Sequence, residues 1–438
     1  MSDLQKDFLK AKLSRLPPPT SLFPPLEEDE EAEAEAEGDD IYHHEYDSFP
    51  TGGPEFKSKY SDDTASISSA SSASSTATVR PLPPKHSSST GTVVHATSPT
   101  SSSFPRPRRS KKNLSPLPWS DYFAEKRSIP ITTTTEDGAT VTNTFNTYLT
   151  PPSGGTLFVT HHGAGSSGLS FAVLTSEILR LDPSCGVLSF DCRGHGETTT
   201  TDDNDLRLPT LRADFVAVTS TILAELDAKR GDGKKTDCIL VGHSLGGAVV
   251  VDAAHSGDLG RAVLGYAVLD VVEGSAVEAL GNMTRYLDSR PKGFRDVEQA
   301  IDWHIRSHTI RSPESARVSV PALLKPAPEA SHPDINYTWH TDLPPTAPLW
   351  STWFTALSKK FLESRGGKLL ILAGTDRLDK ELMIGQMMGK YQLVVCPEAG
   401  HFVHEDEAGR VAGALVEFCK RQAPLVLPPK VGMGVKGT

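Results

Sequence analysis

Ser244 lies in the run Gly242-His243-Ser244-Leu245-Gly246, between an apolar strand-like stretch, 237–241, and a helix-like stretch, 247–255. A serine at a strand-to-helix junction, with small residues two positions to either side, fits a sharp turn that exposes its hydroxyl as a nucleophile. The pentapeptide alone arises readily by chance, and its strand-turn-helix setting gives it weight. His401 directly follows Gly400 in the loop after the apolar run 392–395, where its ring can act as general base. His404, three residues on, heads into a helix and is the weaker candidate. Upstream, the run 156–165 ends in His161-His162-Gly163-Ala164-Gly165, a strand followed by small residues. Such a loop can present backbone N–H groups to a developing negative charge, and the amides of Ala164 and Leu245 are the expected pair. Nucleophile, base and oxyanion donors together make an acyl-transfer site. The carboxylate that would orient the base has two candidates, Asp270 after the apolar run 262–269 and Asp376 after 369–373. The order Ser, Asp, His suits both, and position favours Asp376 slightly. In the turn Asp191-Cys-Arg-Gly-His-Gly196, His195 reads as architectural. Adjacent histidines at 161 and 162, with no HExxH or CxxC spacing, predict neither a metal site nor a cofactor.

These residues need elements to hold them. Beta-rich stretches at 129–135, 139–148 and 156–160 come first, and short apolar runs then alternate with helical patterns. Strands are expected at 186–190, 237–241, 262–269, 368–373 and 392–395, with helices at 211–229, 246–255 and 406–421. Strands of five to eight residues separated by helices of ten or more indicate a mainly parallel sheet covered on both faces, with antiparallel strands at one edge. The class is α/β, and the order of the chemical groups matches the α/β-hydrolase arrangement. Residues ~283–350 break the alternation with prolines and with Trp303, Trp339 and Trp350. They read as a cap inserted over the carboxyl ends of the strands, where such sheets bind ligands.

The flanks have another texture. Residues 1–112 contain an acidic block, seven serines between Ser66 and Ser75, a proline-rich piece at 81–84 and the basic cluster RPRRSKK at 106–112. Without apolar periodicity such a stretch cannot offset its ordering entropy, so a disordered tail is expected there. A flexible tail is expected again at 426–438, which leaves 113–425 as the catalytic domain. The basic cluster fits a nuclear-import signal, for a cytoplasmic or nuclear protein. The net charge of −11 is local, because residues 27–40 hold ten acids and no base. A nearly neutral remainder gives no electrostatic case for nucleic acid or anionic membrane. No apolar run reaches the ~20 residues of a membrane span, and residues 1–16 lack a signal peptide's apolar core. Five cysteines without paired spacing fit a reducing compartment.

Several motifs carry a closer resemblance. LSPLPWSDYF at 114–123, HHGAG, RGHGET, VGHSLGGA, LDVVEGSA, RPKGF with ESARVS, LLILAGTDRLDKELMIGQMMGKYQ and GHFVHED together resemble protein phosphatase methylesterases. The likeness runs from about 114 to 421, about 70% of the chain. In that family the acid is the aspartate of the D-V-V-E-G motif, which is Asp270 here, and the family serine and histidine match Ser244 and His401. The resemblance implies a cofactor-free, monomeric serine carboxylesterase. Its substrate would be the methyl-esterified C-terminal leucine of the type 2A protein phosphatase catalytic subunit, which would also be its partner. A phosphatase-binding scaffold and a small-molecule esterase or lipase are the alternative readings.

Overall fold

In the strand Cys238–His243 (β5) every residue is buried, and successive side chains serve opposite faces. Ile239 and Val241 join one apolar cluster, while Cys238 and Leu240 join the other. A strand apolar on both faces must be covered on both. The computed structural model, which describes residues 113–134, 138–329, 332–374 and 378–422, supplies that cover. Helices Ala172–Leu181 (α1) and, near the end of the chain, Ala408–Gln422 (α11) contribute to one cluster. Leu208–Arg230 (α2), Leu245–Ser256 (α3) and, later, Leu357–Glu363 (α8) contribute to the other.

The sheet has eight strands in the spatial order β1-β2-β4-β3-β5-β6-β9-β10. Their ranges are Glu125–Thr134 (β1), Thr140–Thr150 (β2), Leu157–His161 (β3), Gly186–Phe190 (β4), Val263–Leu269 (β6), Gly367–Leu372 (β9) and Gln392–Val395 (β10), besides β5. β1 and β2 form the antiparallel edge, and from β4 onward all pairings are parallel. Each strand read from the sequence is present, with ends displaced by a few residues. Ahead of β1, Tyr122 and Phe123 are buried, the Phe123 ring lying 5.5 Å from that of Tyr148. Tyr122 also donates to Glu314, and the Leu117 amide donates to the Arg317 carbonyl.

Between β6 and β9 the chain leaves the sheet. Helices Glu273–Ser289 (α4), Val297–Arg306 (α5), Pro313–Ser319 (α6) and Ala347–Trp353 (α7) lie there, with a small antiparallel pair, Leu324–Pro326 (β7) and Tyr337–Trp339 (β8). Phe294, Ile301, Ile310 and Val320 give this insertion a cluster of its own. The expectations for residues 1–112 and 426–438, and for Asp376, fall outside the described residues. Among the described residues no helix is long and apolar enough to cross a membrane.

Candidate active site

β5 runs into α3 through Ser244, whose backbone sits at φ 53, ψ −120. A side-chain-bearing residue rarely occupies that region, and holding it there costs about 1–3 kcal/mol. Its neighbours make the turn possible by what they lack. A Cβ on Gly242 would overlap the Gly246 carbonyl, and one on Gly246 would overlap the carbonyls of His161 and His162. The Ser244 amide donates to Leu269 O at 3.1 Å, and its carbonyl accepts from Gly247 N at 2.8 Å. The hydroxyl-bearing residue is thereby pinned between β6 and the start of α3.

His401 and Asp270 meet from opposite ends of the chain. Nδ1 of His401 lies 2.9 Å from Oδ2 of Asp270, and both side chains are buried. The other carboxylate oxygen accepts the Ala373 amide at 2.9 Å, from the end of β9. Asp270 is itself at φ 51, a second strained residue at a strand end. A carboxylate held by a backbone amide fixes the ring's orientation and tautomer, with Nε2 as its basic nitrogen. Ser244, His401, Ala164 and Leu245 all line one cavity. Among the described residues neither the Ala164 nor the Leu245 N–H has a hydrogen-bond partner, so both can point at a reacting oxygen.

The other histidines hold the loops. His195 Nε2 accepts the Gly165 amide at 2.9 Å, and its Nδ1 donates to Arg193 O at 2.7 Å, which ties the loop after β3 to the turn after β4. In that turn Asp191 accepts from the Asn146 side chain and the Gly168 and Glu197 amides, and Arg193 pairs in two-pronged fashion with Asp214. This is the architectural part expected of it. His162 Nε2 accepts the Cys192 amide at 2.9 Å. His404 lies within a short helix, Val403–Asp406 (α10), and stacks on Phe171 with 4.5 Å between rings.

Sequence reasoning missed three residues. His243 donates from Nε2 to the His401 carbonyl at 2.9 Å, so the residue before the nucleophile steadies the loop of the base. Glu405 is wholly buried yet lines the cavity, accepts from Ser319 at 2.6 Å, and has its pKa pushed up to about 8 by burial. Arg290 lines the same cavity from the insertion. Nothing in local pattern marks any of them, because each acquires its place through contacts more than 80 residues away or through cavity shape. Among the described residues no group of three or more His, Cys, Asp or Glu is arranged to hold a metal ion.

Comparison with known proteins places this geometry. The profile of the alpha/beta hydrolase family matches residues 157–414. Protein phosphatase methylesterase 1 of Aspergillus oryzae is 46% identical over 446 residues, covering 98% of this chain and 93% of that one. The protein of the same name from Schizosaccharomyces pombe is 47% identical over 318 residues, covering 72% and 88%. The first likeness reaches well beyond 114–421, into the N-terminal stretch. Among solved structures, the peroxisomal alpha-beta-hydrolase Lpx1 of Saccharomyces cerevisiae aligns with TM-score 0.52 and 13% identity over 70% of this chain and 93% of that one. E-2-(acetamidomethylene)succinate hydrolase aligns with TM-score 0.50 and 19% identity over 67% and 100%. At those identities the two structures speak to the fold alone.

Proposed function

The chain belongs to the protein phosphatase methylesterases, within the α/β-hydrolases, and from that premise we propose that it is a serine carboxylesterase. Its proposed substrate and partner is the catalytic subunit of type 2A protein phosphatase, from whose C-terminal leucine it removes the methyl ester. The observation that carries the chemistry is the 2.9 Å contact of His401 Nδ1 with Asp270, opening onto the cavity that Ser244 lines.

Nε2 of His401 takes the Ser244 proton as Oγ bonds to the ester carbonyl carbon. The carbonyl oxygen, now negative, is received by the amides of Ala164 and Leu245. The tetrahedral species expels methoxide, which leaves as methanol with the proton from His401. Water, deprotonated by the same ring, then attacks the acyl-serine and returns Oγ to Ser244. Asp270 stabilises the imidazolium formed in each half.

Selectivity for a protein substrate has a physical reason. Methyl is a poor handle, since one buried carbon is worth only ~0.8 kcal/mol, so recognition must come from contacts remote from the ester. The exposed Met383, Ile384, Met387 and Met388, on and just after Lys380–Met387 (α9), form an apolar patch of the kind that marks protein contact and so support a macromolecular partner. The test compares kcat/KM on methylated phosphatase with that on a peptide copying only its C-terminal residues. A clear advantage for the whole protein is expected, and equal turnover would make the chain a general esterase. Ser244→Ala is expected to lose up to ~10⁶ in kcat and all labelling by a fluorophosphonate probe, while still binding the phosphatase.

A further inference from the structure

The cavity at Ser244 is walled on one side by α4. Ala276, Leu280, Met283 and Leu287 recur every three or four residues and face it along the helix. Arg290, the residue that ends α4, lines the same cavity. Its guanidinium lies over the Trp339 ring, 4.3 Å from the centroid, and its Nε is buried with no hydrogen-bond partner among the described residues. The acidic groups it senses are the Tyr286 phenol and the exposed Asp342, and it forms no ion pair with Asp342. Burial accordingly holds its pKa below the ordinary arginine range. A cation kept in a largely apolar cavity with no ion pair among the described residues is unfavourable on its own, and an arriving anion would offset that cost. With one face against tryptophan, the guanidinium keeps its edge for a planar, two-pronged acceptor, which is the geometry of a carboxylate.

We propose that Arg290 forms a subsite for a carboxylate on the acyl side of the ester. The favoured substrate is therefore a polypeptide C-terminus bearing an acidic side chain upstream of its esterified residue. This deepens the methylesterase reading and rests on it: the leaving group is a single carbon, so only the acyl side is long enough to reach Arg290. The 17 residues of α4 span about 26 Å, against ~3.3 Å per extended residue, so the acid belongs several residues before the ester.

The test walks one glutamate through successive positions of a short peptide methyl ester, with glutamine at the same position as control, and reads methanol release. At one position Glu is expected to exceed Gln in kcat/KM by about tenfold, as a charge-assisted hydrogen bond would give. Arg290→Met brings that ratio to about one, and Arg290→Gln does the same should the methionine variant not fold. A ratio near one at every position in the unmodified protein, or a glutamate preference that survives loss of the guanidinium, overturns the proposal. Equal release from both peptides refutes the subsite alone; no release from any peptide also overturns the subsite, and with no release from the methylated phosphatase either the esterase reading falls with it.

Discussion

Asp270 and Asp376 both follow an apolar run on the path from nucleophile to base, so position could not choose between them and favoured Asp376 only slightly. The separating features are invisible in sequence: a positive φ at Asp270, the Ala373 amide on one oxygen and the His401 ring on the other. Only the motif resemblance pointed to Asp270. Replacing an orienting carboxylate leaves the ring in the wrong tautomer, at a cost that can reach ~10⁴ in kcat. Asp270→Asn is therefore expected to lower kcat by about that factor, and Asp376→Asn to do far less. Steady-state kinetics of the two variants decide it, and the reverse ranking would reassign the acid. Ser244 and His401 were legible because their local settings, glycine-flanked turn and post-strand loop, are themselves sequence patterns. His243, Glu405 and Arg290 were not, because what defines them is a distant carbonyl, a distant hydroxyl and a ring in another part of the chain.

At the scale of elements, short continuous apolar runs specified the sheet well because β3, β4 and β5 are buried along their whole length. The antiparallel edge was legible from its threonine-rich, mixed pattern. The insertion between β6 and β9 was recognisable only as a break in rhythm; α5 and part of α6 pack in a cluster of their own, whereas α4 and α7 add side chains to one of the clusters that cover the sheet. α4 begins at Glu273, ten residues before the expected start of the cap, since its cavity-facing stripe looks like any amphipathic helix. The junction of β5 and α3 makes the sharpest prediction here. Gly246→Ala forces a methyl into the carbonyls of His161 and His162, which are backbone atoms of a central strand end and cannot swing aside. A fall in melting temperature of ~10 °C or more is expected, or loss of soluble protein, followed by circular dichroism or calorimetry. A normal melting temperature would mean that the elbow is looser than its geometry implies.

For the molecule as a whole, the composition of residues 1–112 sets them apart from the rest of the chain. A polar, repetitive tail adds no core, so deleting residues 1–105 is expected to change melting temperature and ester turnover very little; a drop of many degrees would show that it packs on the domain. Removing RPRRSKK as well is expected to move a fluorescent fusion from nucleus to cytoplasm. His161, His195 and His304 are depressed by burial to about 4 and His243 to about 3, with His162 and His404 also held well below the usual range. Unfolding frees all six to bind protons, so the stability they contribute is whole above the unfolded histidine value of 6.5 and is lost as pH falls toward about 4. Each supplies up to ~1.4 kcal/mol per pH unit across that window. Glu405, raised to about 8, pulls the other way, as do Asp191, Asp214 and Asp406, whose carboxyls burial also raises. The histidines outnumber them, so the melting temperature is expected to climb from about pH 5 to pH 6.5 and then to decline slightly toward pH 8 as Glu405 titrates. Mild acid is thus expected to act as a denaturant for this chain, and a drop to about pH 4 to serve as a quench for timed samples of its reaction.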